Sequence, residues 1–229
     1  MLVPSIYEPR RAGDVLEAVR CHPLALVCSN GARTPFATHA PVIVERLGGA
    51  GAGAEAEAAP TLVGGSLLGH LNRVNDHWTE MERGGEVLAV FSGPHAYISP
   101  VAYAQRPAAP TWNFITVHVR GRIETLPVGD SVFEVVTSTV RELEKAAGTG
   151  WDMSDSLDYF RRIQPGVRAF RIHVTSVEAM FKLSQEHSDL TRREIRDHLT
   201  DSGVGFGREV AQAMWSEEFA SDGGSTPEG

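Results

Sequence analysis

The run TWNFITVHVRGRIE, residues 111–124, repeats with a period of two and constrains the fold more than any other feature. A period of two is that of a β-strand, whose side chains point alternately to opposite faces. One face carries Trp112, Phe114, Thr116, His118 and Arg120, and the other carries Asn113, Ile115, Val117 and Val119. A second long strand pattern, GVRAFRIHVTSVEAMF, covers residues 166–181. The chain is therefore predicted to fold around a sheet that contains two long strands.

Shorter strand patterns complete the predicted sheet. Asn30-Gly31 lies between two apolar runs and is a strong hairpin signal, because both residues tolerate a positive φ. Strands are predicted near residues 24–29, 34–44, 61–69 and 86–93. Gly93-Pro94 is expected to end the last of these, since proline cannot donate to a sheet ladder. The total is about six strands.

Helical periods lie between and after the strands. They predict helices over residues 15–20, 70–83, 128–148, 156–163, 190–199 and 208–219. Short strands, an early hairpin and long antiparallel partners fit a closed or split β-barrel better than an alternating parallel sheet. We therefore predict an α+β fold of about six mostly antiparallel strands with peripheral helices.

The length of 229 residues suits one barrel domain with a sizeable core. Residues 46–61, RLGGAGAGAEAEAAPT, have no apolar period and are predicted to form a flexible internal loop. Residues 219–229 lack the apolar content needed to fold. We predict a single domain over residues 1–218, including the C-terminal helices, followed by a disordered tail.

Charge and cysteine content exclude several function classes. The net charge of −8 argues against a protein that coats a phosphate backbone, so no nucleic-acid partner is expected. Cys21 and Cys28 are typical of reduced thiols and not of a disulfide framework or a zinc site. The N-terminus lacks the apolar core of a signal peptide, and no window approaches a membrane span. A cytoplasmic location without membrane contact is expected.

The histidines are the first candidates for a site, because no P-loop, HExxH motif or paired CxxC motif occurs. His70 and His77 are seven residues apart in GHLNRVNDHW, so a helix here would place them on nearly the same face. His39 in ATHAP and His95 in SGPHAY could line a pocket. A structural role for a lone histidine is the more frequent alternative.

Two short polar motifs are further candidates. PTWNF places Trp112 and Asn113 at the start of a strand, where such a pair is more often a packing corner. FKLSQ places Lys182 beside Ser184 and Gln185, and such a segment is more often a plain polar connection. The residues alone lead to a barrel-like domain that could carry a flat cofactor.

As an ordered set, GHLNRVNDHW, GPHAYISP, PTWNF with VHVRG, and FKLSQ resemble the PaiB-type family. This resemblance extends from about Val3 to about Leu199 and implies an FMN-binding type of split barrel, usually homodimeric. The regulator-like members have a Trp-Tyr-Pro-Ser-Lys run, which residues 102–106, AYAQR, replace here. Arg106 replaces only the charge of the lysine, so the chain departs from the flavin-binding members at this position.

Within this family, the sequence of these motifs is more similar to one branch, the heme-dependent piperazate synthases. CSNG, GHLNR, QRPAAPTWNF and the long stretch from Trp151 to Glu186 carry this resemblance. It implies heme b as cofactor and dehydrative cyclisation of N5-hydroxy-L-ornithine to L-piperazic acid, with formation of an N–N bond. The alternatives are a PaiB-like FMN-binding protein or transcriptional regulator without catalysis, and a heme carrier.

The branch resemblance also implies roles for particular residues. His70 is expected to be the axial iron ligand, with His77 in reserve. Lys182 is expected to bind the substrate carboxylate. Proton delivery is assigned to His39 or to a water held by Thr38. The remaining expected cofactor-binding residues are Arg73, Asn75 and Trp112, and the remaining expected substrate-binding residues are Ser184, Gln185 and Asn113.

Overall fold

A computed structural model of the chain describes residues 1–49, 61–103, 107–202 and 205–221. Six strands form a closed barrel in the order β1-β2-β3-β6-β5-β4. The strands are β1 Leu24–Ser29, β2 Phe36–Gly48, β3 Thr61–Asn72, β4 Gly85–Ile98, β5 Thr111–Thr125 and β6 Val167–Lys182. β1 pairs antiparallel with β2 and β4, and β3 pairs antiparallel with β2 and β6. The predicted barrel of six antiparallel strands is confirmed.

Helices occupy the connections between strands and the C-terminal segment. They are α1 Ala12–Cys21, α2 His77–Met81, α3 Asp130–Ala147, α4 Leu157–Ile163, α5 Asp189–Ser202 and α6 Gly207–Ser221. The longest, α3, ends at Gly148, whose left-handed φ of 63° is the usual glycine termination of a helix. The helix α6 extends three residues into the segment predicted as a tail, and residues 222–229 lie outside the described residues.

The predicted helix over residues 70–83 is wrong for most of its length. β3 extends to Asn72, which pairs with Val167 of β6, and α2 begins only at His77. Cross-strand pairing therefore overrides the local helical period. His70 and His77 lie on different elements and do not share the face of one helix.

The ends of β2 and β4 also differ from prediction. Gly93-Pro94 does not end β4, which continues to Ile98. Gly93 is closely approached, because a Cβ there would lie 3.0 Å from Cβ of Ile115 on β5. β2 continues to Gly48, beyond the predicted end at 44, and β3 begins at Thr61. Most of the predicted 46–61 loop lies in residues 50–60, outside the described ranges.

The chain divides into two compact units, each with its own core. The first contains Met1–Ala18, Ser92–Val117 and Glu178–Gly229, and the second contains Val19–Phe91 and His118–Val177. The first core includes Ala96, Ile98, Ala102, Tyr103, Leu183, Ile195, Leu199, Val210, Ala211 and Met214. In the second unit, α3 covers one face of the strands with a cluster that includes Ile43, Leu68, Leu126, Val132, Val135 and Ala169. The single domain over residues 1–218 stays a prediction.

A network of charged side chains ties four strands of the second unit together. Arg171 binds both carboxylate oxygens of Glu45 at 2.7 Å and donates to Glu124 at 3.0 Å. Ser66 donates to Glu45 at 2.6 Å, and His173 contacts Glu124 at 2.8 Å. The hydrogen bond from Arg171 is the largest cause of the lowered pKa of Glu45. Arg171 and Glu45 are joined by two hydrogen bonds, so the geometry of this pair is more closely defined than that of an ion pair with a single contact at the surface.

We predict that Gly121→Ala destabilises the second unit. A Cβ at Gly121 in β5 would overlap the backbone oxygen of His173 in β6, and a backbone atom cannot move aside as a flexible side chain does. Overpacking of this kind costs about 1–3 kcal/mol. Urea unfolding measures the change. Gly166→Ala is the matched control, because nothing lies within 4 Å of its added Cβ; equal midpoints for both variants would contradict the packing account.

Candidate functional site

His77, the first residue of α2, is a buried histidine held between two hydroxyl groups. Only 1% of the surface of His77 is exposed to solvent. Nε2 lies 2.8 Å from Oγ of Ser29 at the end of β1, and Nδ1 lies 3.0 Å from Oγ1 of Thr38 in β2. Both ring nitrogens are therefore engaged. An iron ligand at this position would have to give up one of these hydrogen bonds.

Asn75 and Phe36 fix the position of the His77 ring. Oδ1 of Asn75 accepts a hydrogen bond from the backbone N–H of His77 at 3.0 Å, and its Nδ2 donates to Oγ1 of Thr38 at 3.4 Å. The Phe36 ring stacks on the imidazole with centroids 5.3 Å apart and an interplanar angle of 17°. Burial lowers the pKa of His77, with Glu80 opposing this effect. Burial therefore favours the neutral ring, and these contacts hold it in one orientation.

His70 has a different environment. It lies in β3, opposite Ala169 of β6, and is half-buried. Its Nδ1 atom is buried and has no hydrogen-bond partner among the described residues. Burial also lowers the pKa of His70, which favours the neutral imidazole. An unpartnered buried nitrogen costs free energy, so this position is unusual for a purely structural histidine.

Thr38 and His39, the two residues predicted to deliver a proton, point to opposite sides of β2 because side chains alternate along a strand. Thr38 is half-buried and belongs to the His77 cluster, whereas His39 is exposed. Arg73, predicted to bind the cofactor, has an exposed side chain just after β3, and its backbone N–H donates to the carbonyl of Gly166 at 2.9 Å. The second unit thus brings Thr38, Asn75 and His77 together and leaves His39 outside their cluster.

In the first unit, Asn113 and Ser184 form a buried polar pair. Both residues are 0% exposed. Nδ2 of Asn113 donates to Oγ of Ser184 at 2.8 Å, and the serine hydroxyl donates back to Oδ1 at 3.1 Å. Ser184 has a φ of 65°, which is in the left-handed region that non-glycine residues rarely adopt. These two side chains satisfy each other, an arrangement that favours a structural role over the predicted contact with substrate.

Gln185 and Lys182 complete the FKLSQ segment. Gln185 accepts from the backbone N–H of Leu183 at 2.6 Å and donates to the carbonyl of Phe181 at 2.5 Å, so its amide fixes the turn after β6. Lys182 donates to Oγ1 of Thr111 at 2.6 Å and lies 5.8 Å from the centroid of the Tyr7 ring. Of the three predicted substrate-binding groups in this segment, the ammonium of Lys182 has the chemistry best suited to a carboxylate.

Several residues that sequence reasoning missed belong to these clusters. Glu186 accepts a hydrogen bond from Tyr7, and burial together with this carboxylate raises the pKa of Tyr7. Glu186 follows FKLSQ directly, so the motif signals it, whereas nothing in the N-terminal segment signals Tyr7. Ser29 lies within the CSNG motif, but its contact with His77 spans 48 residues and has no local signal.

Trp112 belongs to the first unit and presents an exposed aromatic face. It is 52% exposed and contacts the rings of His95 and Tyr97, with centroids 6.1 Å and 5.9 Å away. His95 also contacts Phe206, with centroids 5.2 Å apart. Exposed rings of this kind are suited to stacking on a flat ligand or on another protein.

The described parts of the chain contain no group of three or more histidine, cysteine, aspartate or glutamate residues with metal-binding geometry. Within the same ranges, no helix has the length and apolar character needed to cross a membrane.

Known proteins provide a comparison with this geometry. Residues 1–176 match the family described as "Putative FMN-binding domain". Protease synthase and sporulation protein PAI 2 of Bacillus subtilis is 26% identical over 217 residues, which are 93% of this chain and 96% of that protein. An uncharacterized protein of Emericella nidulans is 24% identical over 152 residues, or 59% of this chain and 61% of that protein.

A solved structure extends the comparison of folds. The conserved hypothetical protein Rv2991 of Mycobacterium tuberculosis has a TM-score of 0.54 and 10% identity, and the match covers 82% of this chain and 96% of that chain. This similarity concerns the fold alone.

We predict that Asn113→Ala lowers the free energy of unfolding by about 1–3 kcal/mol, because it leaves the buried Ser184 hydroxyl without its partner. Urea unfolding measures the change. Gln212→Ala is the control, since it removes an amide side chain from an exposed position of α6. Unchanged stability of Asn113→Ala together with weakened substrate binding would contradict the structural role and restore the predicted substrate contact.

Proposed function

The chain belongs to the family described as "Putative FMN-binding domain", as its resemblance to PaiB-type proteins predicted, and we propose that it is a heme-dependent piperazate synthase. The proposed reaction joins the two nitrogens of N5-hydroxy-L-ornithine and releases water, which gives L-piperazic acid. The branch resemblance over residues 151–186 and the chemistry of His70 support this proposal. Heme b is the proposed cofactor.

The unpartnered buried nitrogen of His70 is the observation that carries the proposal. A histidine that would hold the heme iron must be neutral, because a protonated nitrogen has no lone pair to offer to iron. The lowered pKa of His70 meets this requirement. His77 meets it less well, because both of its nitrogens already have hydrogen-bond partners.

Heme iron, when bound, supplies a Lewis-acidic coordination position for the hydroxylamine of the substrate. The chain itself must fold the flexible substrate so that its two nitrogens meet, and orientation of this kind can lower a barrier by roughly 7 kcal/mol or more. It must also protonate the departing hydroxyl oxygen. Of the two predicted donors, His39 is the better placed, because the register of β2 with β3 puts it on the same side of the sheet as His70, whereas Thr38 points to the opposite side.

Lys182 is proposed to bind the substrate carboxylate. An ammonium group has three N–H donors, and one of them is used on Thr111. Glu186 is a suitable second contact for the amino end of an amino acid, because it lies beside Tyr7, whose ring Lys182 also approaches. A homodimer, a cytoplasmic location and a hydroxylating enzyme as the source of substrate complete the proposal.

The alternative function is that of an FMN-binding protein or regulator without catalysis. The description of the matched family favours it, and the exposed rings of Trp112 and Tyr97 suit a flat isoalloxazine as well as a porphyrin. The two candidate functions differ in the charge that the binding site must supply. FMN carries a phosphate group and therefore needs a positively charged side chain beside it. Arg106, the residue predicted to supply that charge, lies outside the described residues.

Direct assay of the reaction tests the proposal. We expect purified protein loaded with heme to convert N5-hydroxy-L-ornithine to piperazic acid, detected by mass spectrometry as the loss of one water. L-ornithine is the control substrate and should give no product, because it lacks the leaving hydroxyl. Lys182→Met should lower kcat/KM by about 10- to 100-fold, the loss expected for one hydrogen bond to a charged group.

Failure of the heme-loaded protein to form piperazic acid would contradict the synthase. Isolation of the protein with a flavin spectrum and without product would favour the FMN-binding alternative. Loss of heme from Lys182→Met in proportion to its loss of activity would contradict a substrate-binding role for this residue.

A further inference from the structure

A cavity beside α3 contains none of the residues assigned to the proposed reaction. It lies between the last two turns of α3 and the segment from Gly148 to Met153, and its volume is about 580 Å³. Pockets that hold small organic ligands have volumes in this range. The helical period places the cavity on the side of α3 that points away from its buried residues, and all of its lining belongs to the second unit.

Hydrogen bonds within the chain hold the two walls of this cavity together. Gly148 and Gly150, with φ of 63° and 71°, reverse the chain after α3. Thr149 then donates to Oε2 of Glu144 on α3 and accepts from the backbone N–H of Trp151 at 3.1 Å. The loop is thus tied to the helix that it faces. A site that is already formed in this way binds a ligand without a large entropic cost for ordering the loop.

Part of the lining is apolar and includes an aromatic ring. Trp151 is 48% exposed, and the side chains of Val140 and Met153 beside the cavity are half-buried. A half-exposed indole offers a flat face for ring stacking, and a thioether makes favourable contacts with aromatic rings. This part of the lining therefore suits a ligand that contains an aromatic ring.

The two carboxylates of the lining already have donors from the loop. Glu144 accepts the hydroxyl of Thr149. Oδ1 of Asp152 accepts the hydroxyl of Ser154 at 2.7 Å and its backbone N–H at 2.9 Å. These two hydrogen bonds lower the pKa of Asp152, so its carboxylate is ionised and used in the turn.

The two cations of the lining are used differently. Arg141 and Lys145 are exposed and lie one turn apart on the same side of α3. Within the described ranges, neither side chain has an ion pair or a hydrogen bond. A guanidinium and an ammonium at this spacing can each bind one oxygen of a carboxylate. A phosphate dianion is less suitable, because Glu144 and Asp152 also border the cavity and would repel its second negative charge.

We propose that this cavity is a binding site for a small aromatic carboxylic acid, whose carboxylate contacts Arg141 and Lys145 and whose ring packs against Trp151. The site is additional to the proposed reaction and does not depend on it. The chemistry of the ligand follows from the lining, which combines an exposed indole with two cations that the fold does not use.

Binding of indole-3-acetate to the purified, ¹⁵N-labelled chain tests the proposal. The indole N–H signal of Trp151 is identified by its absence from the NMR spectrum of Trp151→Phe. We expect indole-3-acetate to shift this signal saturably, with a Kd of about 1 mM or lower. Indole-3-acetamide has the same ring without the charge, and acetate has the charge without the ring. Each of these control ligands should bind at least about 10-fold more weakly.

Variants of the cations test the contact with the carboxylate. Arg141→Gln should weaken the binding of indole-3-acetate by about 10-fold or more, the loss expected for hydrogen bonds between charged groups, and Arg141→Lys should recover part of the affinity. Arg193→Gln, at an exposed position of α5, is the matched control and should bind like wild type. Far-UV circular dichroism verifies that each variant is folded, which is expected because both arginines are exposed.

The outcomes that would overturn the proposal are distinct. Equal affinity for indole-3-acetate and indole-3-acetamide, or unchanged affinity in Arg141→Gln, would reduce the cavity to an apolar surface. Equal affinity for acetate would reduce it to a patch of positive charge. A Trp151 signal that does not shift at about tenfold the expected Kd would exclude the site altogether. None of these measurements uses heme or turnover, so their results are independent of the piperazic acid assay.

Discussion

The pairing of β3 with β6 determines the side of the barrel wall on which His70 lies. In this register Gly69 faces Phe170 and His70 faces Ala169. The Phe170 ring occupies the space that a Cβ on Gly69 would need. Alternation then places His70 on the same side of the strand as Leu68, which packs against α3. A shift of one residue would exchange these sides, so the environment of His70 depends on this pairing.

The two histidines of GHLNRVNDHW have different roles because their surroundings satisfy them differently. His77 has a hydroxyl partner on each nitrogen, whereas Nδ1 of His70 is buried without one among the described residues. Both have a lowered pKa caused mainly by burial, which favours the neutral form of each ring. The difference in hydrogen bonding, and not the pKa, separates a candidate iron ligand from a histidine whose two nitrogens are both used within the fold.

Local sequence periods predicted the barrel but not the contacts within its site. Alternation in β5 and β6 and the hairpin around Asn30-Gly31 are local, and β1 has the predicted bounds of 24–29. The helix predicted over residues 70–83 failed because the pairing of β3 with β6 joins residues about a hundred positions apart, which no local period records. Likewise, residue type and spacing predict His77 as a site residue, but they do not predict its contact with Ser29, which is 48 residues away in the sequence. Asn113 and Ser184, which the sequence predicts as binding groups, form a hydrogen-bonded pair 71 residues apart that no local pattern records.

The claim that His70 binds heme iron is tested most directly by titrating hemin into the purified protein and recording the visible absorption spectrum. The account predicts a sharp, shifted Soret band for wild type that saturates at one heme per chain, its loss in His70→Ala, and its retention in the exposed-histidine control His198→Ala. An unchanged Soret band in His70→Ala, or a purified protein that binds FMN and not hemin, would contradict it.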